Sequence, residues 1–253
     1  KRNRRPTQGF PMCLKCAAKH TVSTQRRGFL KFAGLGFAVS ALPAYAADPV
    51  LPKPDNVISP DAALDRLIKG NARYVANATR PADHTSTRAA LAKGQNPYAC
   101  LLSCADSRIA PELCFDAERG DLFVTRVAGN YVTPPLLASL EYGTAVLQAP
   151  LIVVLGHTSC GAIGAAIKAE EGAESFPGHI QNLTSDLAPA VRAALKTNPA
   201  DLLQAAVREN VILGVQSLQE STPVLRKRVR AGQLKVVGGI YNLENGKVEF
   251  LNL

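Results

Sequence analysis

The chain has 253 residues, enough for one α/β domain with a sizeable core, and its formal net charge is +9. Residues 1–46 hold nine Lys and Arg and no acidic residue, so residues 47–253 hold 29 − 9 = 20 basic and 20 acidic side chains. A neutral remainder argues against nucleic-acid binding, which needs a basic surface on the folded domain.

The basic segment 1–46 is predicted to be a leader. Arg26-Arg27 precede the apolar stretch Phe32–Leu42, which is too short to span a bilayer, and Ala44-Tyr45-Ala46 has the spacing of a cleavage site. The segment resembles twin-arginine signal peptides, although Gln25 stands where their consensus has Ser or Thr. We expect export by the twin-arginine machinery, cleavage after Ala46, a periplasmic or secreted protein and no stable membrane span afterwards.

Two alternatives for the leader are an uncleaved membrane anchor and an ordinary secretory signal. Cys13 and Cys16 form a Cys-x-x-Cys pair with His20 behind them, a spacing that can indicate a metal or redox site. Because no second ligand pair lies nearby, we interpret them as part of an unstructured leader. Residues 47–58 are Pro-rich and polar, typical of a linker or N-terminal arm, and residues 59–253 are predicted to form a single domain.

The mature chain then alternates between helical and strand patterns. Ser59 before Pro60 predicts a helix N-terminus, and that helix continues to about Asn77. Further helices are expected at 86–93, 135–148, 160–170, 179–195 and 201–220, and strands at 98–103, 122–126 and 151–155. The end of the chain is expected to be a hairpin with a type I′ turn at Asn245-Gly246. This order predicts an α/β fold with a mostly parallel central sheet flanked by helices.

Metal-ligating side chains follow two of the predicted strands. Cys104 comes directly after the strand at 98–103, and His157 and Cys160 follow the strand at 151–155. The carboxyl ends of parallel strands share one edge of a sheet, where binding sites form. Two thiolates and one imidazole are three ligands of a tetrahedral zinc site. No fourth Cys or His is tied to these loops, so a position remains for water, as in catalytic zinc sites.

The remaining cysteines and histidines of the mature chain have other interpretations. Cys100 lies inside a strand and Cys114 in a predicted helical turn, so both are expected to be core residues. His84 and His179 lie outside the two loops and are read as surface or structural residues. In an exported protein, disulfides among the four cysteines are the alternative.

Asp106 and Arg108 lie beside Cys104, where they form either a plain ion pair or a pair that orients the reacting water. Gly156 and Gly161 are expected to let the backbone turn tightly around the metal.

These residues resemble the two signatures of the β-class carbonic anhydrases. Cys104-Ala105-Asp106-Ser107-Arg108 matches the first, and His157-Thr158-Ser159-Cys160-Gly161 matches the second. Stretches 120–130, 139–147 and 236–251 are also similar to the family, so the resemblance covers about residues 59–253. It implies a Rossmann-like β-carbonic anhydrase fold and the zinc-dependent, reversible hydration of carbon dioxide to bicarbonate and a proton.

The resemblance also implies roles for individual residues. One Zn2+ per chain would be held by Cys104, His157 and Cys160, with Asp106 and Arg108 as a catalytic dyad. Asp106 would be an alternative fourth zinc ligand in a closed state, and we expect a predominantly open site near neutral pH. The substrate-binding positions would be Gln95, Phe123, Tyr142 and Gly161.

In the family these pocket residues reach across a subunit interface, so a homodimer or higher homo-oligomer is expected. Val127 and Ala128 depart from the family pattern. These departures are expected to affect the rate and the selectivity rather than the type of reaction. Two other functions compete: a carbon disulfide or carbonyl sulfide hydrolase on the same scaffold, and a non-catalytic zinc-stabilised domain.

Overall fold

A five-stranded sheet organises the part of the chain that this computed structural model describes, residues 57–81 and 83–253. The strand order is β2-β1-β3-β4-β5, and every neighbouring pair is parallel except β4 and β5. The predicted α/β class with a mostly parallel sheet is therefore confirmed. The strands are β1 (Ala99–Ser103), β2 (Leu122–Arg126), β3 (Leu151–His157), β4 (Lys235–Tyr241) and β5 (Val248–Phe250).

Several predictions for the N-terminal segment lie outside the described residues. They are the leader at 1–46, its Cys13, Cys16 and His20, and nearly all of the linker at 47–58. Within the described ranges, no helix combines the length and the apolar character needed to cross a bilayer.

Helices flank the sheet, and the first begins where the cap residues predict. The hydroxyl of Ser59 accepts a hydrogen bond of 3.1 Å from the backbone N–H of Ala62, and Pro60 occupies the first turn. The helices are α1 (Pro60–Val75), α2 (Arg88–Leu91), α3 (Pro111–Cys114), α4 (Pro134–Ala145), α5 (Gly161–Glu170), α6 (Ile180–Leu195), α7 (Leu202–Glu220) and α8 (Leu225–Arg230).

Two short helices differ from the prediction. The helix expected at 86–93 is reduced to the four residues of α2, and none of its side chains is buried. Helix α8 was not predicted, because its sequence, LRKRVR, contains four basic residues in six and is too short to show an apolar period.

The predicted type I′ turn at Asn245-Gly246 is wrong. That turn needs a positive φ at both central residues, and here Gly246 has φ +74° whereas Asn245 has no positive φ. The side chain of Asn242 organises the connection instead. Its Oδ1 accepts hydrogen bonds from the backbone N–H groups of Glu244 at 2.8 Å and Asn245 at 3.3 Å.

The central strands are covered on both faces. All residues of β1 and β3 are buried, which explains why they read as continuous apolar runs rather than as alternating patterns. Leu102 and Ile152 pack into the core under helices α4 to α8, whereas Leu101 and Val153 pack into a second core under α1 and α3. Because β1 and β3 are parallel neighbours, their carboxyl ends lie side by side at one edge of the sheet.

Candidate metal centre

The sheet brings the three predicted ligands into one buried cluster. Ser103 at the end of β1 pairs with Leu155 of β3, so Cys104 emerges beside His157 and the loop that carries Cys160. The Sγ atoms of the two cysteines are 4.0 Å apart. One ligand atom from each of the three residues lies within 4.8 Å of the others, and their exposed fractions are 3, 0 and 2%.

The imidazole of His157 is oriented as a metal ligand requires. Its Nδ1 lies 2.9 Å from the backbone carbonyl of Thr158, a contact that makes Nδ1 the protonated nitrogen. Its Nε2 is buried and has no hydrogen-bond partner. An orphaned acceptor costs free energy in a protein interior, and a metal ion bound between the imidazole and the two thiols would satisfy it. The cluster therefore fits a zinc ion, which prefers sulfur and nitrogen ligands in a tetrahedral arrangement.

The two clustered thiols shift each other's pKa in opposite directions. The contact with Cys160 holds the pKa of Cys104 well below its usual range, assisted by the Gly129 N–H, which donates to Cys104 Sγ at 3.2 Å. The same contact raises the pKa of Cys160. A lowered pKa favours the thiolate, the form of cysteine that binds metals.

Asp106 is held beside this cluster by Arg108. The guanidinium of Arg108 donates to Oδ1 at 2.9 Å and to Oδ2 at 2.7 Å, and its backbone N–H donates to Oδ1 at 2.9 Å. The bonds from Arg108 keep the pKa of Asp106 far below its ordinary value, so this carboxyl is ionised at neutral pH. Oδ2 lies 3.8 Å from Nε2 of His157.

Arg126 supports the first loop, a function that the sequence reasoning missed. From the end of β2 its guanidinium donates to the backbone carbonyls of Cys104 at 2.9 Å, Asp106 at 2.7 Å and Ile109 at 2.9 Å. The sequence signal for this role was that Arg126 lies in the stretch 120–130, which is similar to the family. Arg108 similarly supports the second loop by donating to the carbonyl of Ser159 at 3.2 Å.

The expectation that Gly156 and Gly161 make the turn around the metal is wrong. Neither has a positive φ; the left-handed residue of this loop is Ser159, with φ +55°. Gly156 is needed for packing instead, because a Cβ there would lie 2.7 Å from Cγ2 of Val211 on α7. A Cβ at Gly161 would meet no atom within 4 Å.

Three predicted substrate-binding residues do not join the cluster within one chain. Gln95 precedes β1 whereas Cys104 follows it, and Phe123 pairs with Cys100. Cys100 is four residues before Cys104, a distance of about 13 Å along a strand. The ring of Tyr142 lies 6.1 Å from that of Phe123, and Tyr142 is 47% exposed. Phe123 and Tyr142 therefore lie towards the opposite end of β1 from Cys104, and Gln95 precedes that end of the strand.

Among the residues that the structure describes, the remaining cysteines and histidines occupy the positions that were expected of them. Cys100 and Cys114 are buried free thiols, and burial raises their pKa values to about 12 and about 11. His84 and His179 are exposed.

Comparison with known proteins agrees with this geometry. The profile of the family described as "Carbonic anhydrase" matches residues 99–248, more than half of the chain. Carbonic anhydrase 2 of Mycobacterium tuberculosis is 37% identical over 193 residues, which cover 75% of this chain and 91% of that relative. The carbonic anhydrase of Mycolicibacterium smegmatis is 37% identical over 194 residues, covering 76% and 93%.

Solved structures show the same fold. The β-carbonic anhydrase CcaA superposes with a TM-score of 0.62 at 30% identity, covering 75% of this chain and 95% of that chain. A tetrameric β-carbonic anhydrase of Sordaria macrospora superposes with a TM-score of 0.58 at 26% identity, covering 64% and 84%.

Proposed function

The chain belongs to the β-class carbonic anhydrases, zinc enzymes that hydrate carbon dioxide reversibly, and we propose that Cys104, His157 and Cys160 hold its one zinc ion. The observation that carries this assignment is the buried cluster itself: two thiols and an imidazole converge, and Nε2 of the imidazole has no hydrogen-bond partner. Bound there, zinc would supply a Lewis acid that makes water a nucleophile near neutral pH.

We propose that Asp106 orients the attacking water. Its carboxylate is ionised and can only accept hydrogen bonds, so a water beside it must point a proton towards Asp106 and a lone pair away from it. Arg108 fixes that carboxylate by binding both of its oxygens. The same bonds restrain Asp106 from moving onto the metal, which supports the expectation of a predominantly open site near neutral pH.

We propose that the active site is completed in a homodimer or a higher oligomer. Phe123 and Tyr142 form an aromatic pair, half-buried and exposed respectively, that the single chain places away from its own cluster. A second copy packed against this surface would cover the pair and bring it to the neighbouring cluster, together with Gln95. The tetrameric relative from Sordaria macrospora supports assembly.

We further propose that the enzyme acts outside the cytoplasm after export by the twin-arginine route. Arg26-Arg27 and the apolar stretch behind them support this proposal. Such export carries folded proteins, which would protect the thiols of the cluster from wrong disulfides in an oxidising compartment.

A carbon dioxide hydration assay on purified protein with quantified zinc tests the proposed site. Hydration that scales with zinc content up to one ion per chain supports it. Full activity without zinc would overturn the metal assignment. The same preparation is then assayed with carbonyl sulfide and carbon disulfide, which tests the alternative of a sulfur-compound hydrolase. Hydrolysis of either compound that is faster than carbon dioxide hydration would favour that alternative.

A further inference from the structure

Asn210 is a polar residue at a core position of helix α7. Its neighbours on the same helix face, Val207, Val211 and Gly214, are buried, and Asn210 itself is only 6% exposed. Asparagine is a poor helix former, and a buried amide is costly unless it is hydrogen-bonded. An apolar side chain would suit this face better, so the amide calls for a specific explanation.

The amide of Asn210 reaches the loop that contacts Cys104. Its Nδ2 donates to the backbone carbonyl of Gly129 at 2.8 Å, across 81 residues of sequence. The backbone N–H of the same glycine donates to Cys104 Sγ at 3.2 Å. A rigid helix is thereby linked to a predicted metal ligand through one residue.

Gly129 stands at a position that favours glycine. It has φ +84°, and a Cβ at this position would lie 2.7 Å from Cδ1 of Leu187 on α6. The positive φ therefore favours glycine here, and glycine is also the residue whose backbone is most easily reoriented. A bond to its carbonyl restrains the orientation of its N–H.

We propose that Asn210 is a positioning residue for the metal centre: it clamps Gly129 so that the Gly129 N–H stays directed at the Cys104 sulfur. This inference rests on the proposed zinc site. A hydrogen bond to a ligating thiolate withdraws part of its charge and fixes the direction of its lone pairs. Loss of the clamp should alter both zinc affinity and the electronic character of the sulfur.

The test compares Asn210→Leu, which keeps the side-chain size and removes the donor, and Asn210→Ala, which removes the side chain beyond Cβ, with Val215→Ala, a buried change on the same helix. Zinc affinity is measured by competition with a chelator. Cobalt(II)-loaded protein reports the sulfur-to-metal charge-transfer band. We expect the Asn210 variants to bind zinc about 10- to 100-fold more weakly and to shift the band. Val215→Ala should change neither.

Parent-like zinc affinity and an unshifted band in a folded Asn210 variant would overturn the clamp. A parent protein that binds no zinc would instead overturn the proposed site. If neither Asn210 variant folds, the parent protein provides the test. Loaded with an NMR-active cadmium isotope, the parent should show scalar coupling between the metal and the Gly129 amide proton. The side-chain amide protons of Asn210 should also exchange slowly with solvent. Absence of either signal contradicts the proposal.

Discussion

The buried cysteines of the described chain have two different chemistries. Cys100 is surrounded by apolar atoms, and burial raises its pKa to about 12, so it stays a neutral thiol. Cys104, four residues later, has a lowered pKa because Cys160 and the Gly129 N–H contact its sulfur. Position at the end of a strand, rather than burial, therefore distinguishes a ligand from a core residue.

Removal of the Arg108 guanidinium should impair catalysis without removing the metal. Arg108→Ala frees Asp106, and loss of such a supporting partner costs about 10- to 100-fold in activity. Zinc content should stay near that of the parent, since Arg108 touches none of the three ligand side chains. The measurement is the hydration rate together with metal content. Arg208→Ala, which removes an exposed arginine paired with Glu249, is the matched control. A parent-like rate in Arg108→Ala would leave Asp106 and Arg108 as a structural ion pair.

A second residue-scale prediction concerns Asp121, which is 3% exposed. Burial raises its pKa to about 6, above the value of about 3.9 in an unfolded chain. The folded state therefore binds this proton more tightly, so its contribution to stability grows as pH falls from about 6 to about 4. Relative to Asp121→Asn, the parent should gain on the order of 2 kcal/mol of unfolding free energy over that window.

Denaturant unfolding at several pH values measures this difference, and Asp116→Asn provides the opposite control. Burial alone would raise the pKa of Asp116, but the guanidiniums of Arg73 and Arg80 hold it below its usual value. Its contribution is therefore present above the unfolded pKa and is lost as pH falls through the folded pKa. If the unfolding free energies of the Asp121 and Asp116 variants, each relative to the parent, changed with pH in the same direction, the environments of the two carboxyls would be misassigned.

At the scale of elements, close contact between α7 and the sheet supports the site. A Cβ at Gly156 of β3 would lie 2.7 Å from Val211, and one at Gly238 of β4 would lie 2.6 Å from the same side chain. These two glycines let α7 approach the sheet beside His157. The helix that carries Asn210 is thereby fixed against the strands that carry the ligands.

Gly156→Ala should destabilise the protein by about 1–3 kcal/mol, the usual cost of overpacking a core. The double variant Gly156→Ala with Val211→Ala should recover part of this loss, because the second change removes the clashing methyl groups. Gly164→Ala on α5 is the control, since a Cβ there meets no atom within 4 Å. It should be neutral or stabilising by up to about 1 kcal/mol. Thermal or denaturant unfolding provides the comparison; a harmless Gly156→Ala would contradict the packing argument.

Most elements could be predicted because local signals specify them. Apolar runs mark β1 and β3, and Ser59 with Pro60 marks the start of α1. The missed features depend on contacts distant in sequence. Arg126 binds carbonyls 17 to 22 residues away, and Asn210 binds one 81 residues away. No local pattern encodes such partners.

Turns and glycines were the other source of error. Asn245-Gly246 has the residue types of a tight hairpin turn, but the side chain of Asn242 satisfies the backbone of this connection differently. Glycine next to a ligand suggested a turn at Gly156, whereas the close approach of Val211 requires it. The residue type was informative in both cases, but the reason for it became visible only with the packing.

For the whole molecule, the distribution of charge separates the leader from the enzyme. The basic residues in excess all lie in residues 1–46, and the remainder is neutral. Replacement of Arg26-Arg27 by two lysines should therefore leave zinc binding and hydration unchanged while the protein accumulates in the cytoplasm. Cell fractionation of parent and variant measures the outcome, with Lys31→Arg as a charge-conserving control. Undiminished export of the double-lysine variant would exclude the twin-arginine route.

The central claim is that the buried thiols at the end of the sheet, and not buried thiols in general, hold the catalytic zinc. The most direct measurement is zinc content together with carbon dioxide hydration for Cys160→Ala and Cys100→Ala, which make the same chemical change at equally buried positions. We expect Cys160→Ala to lose both zinc and activity, and Cys100→Ala to keep both. A Cys160→Ala protein that retains stoichiometric zinc and parent-like hydration would contradict it.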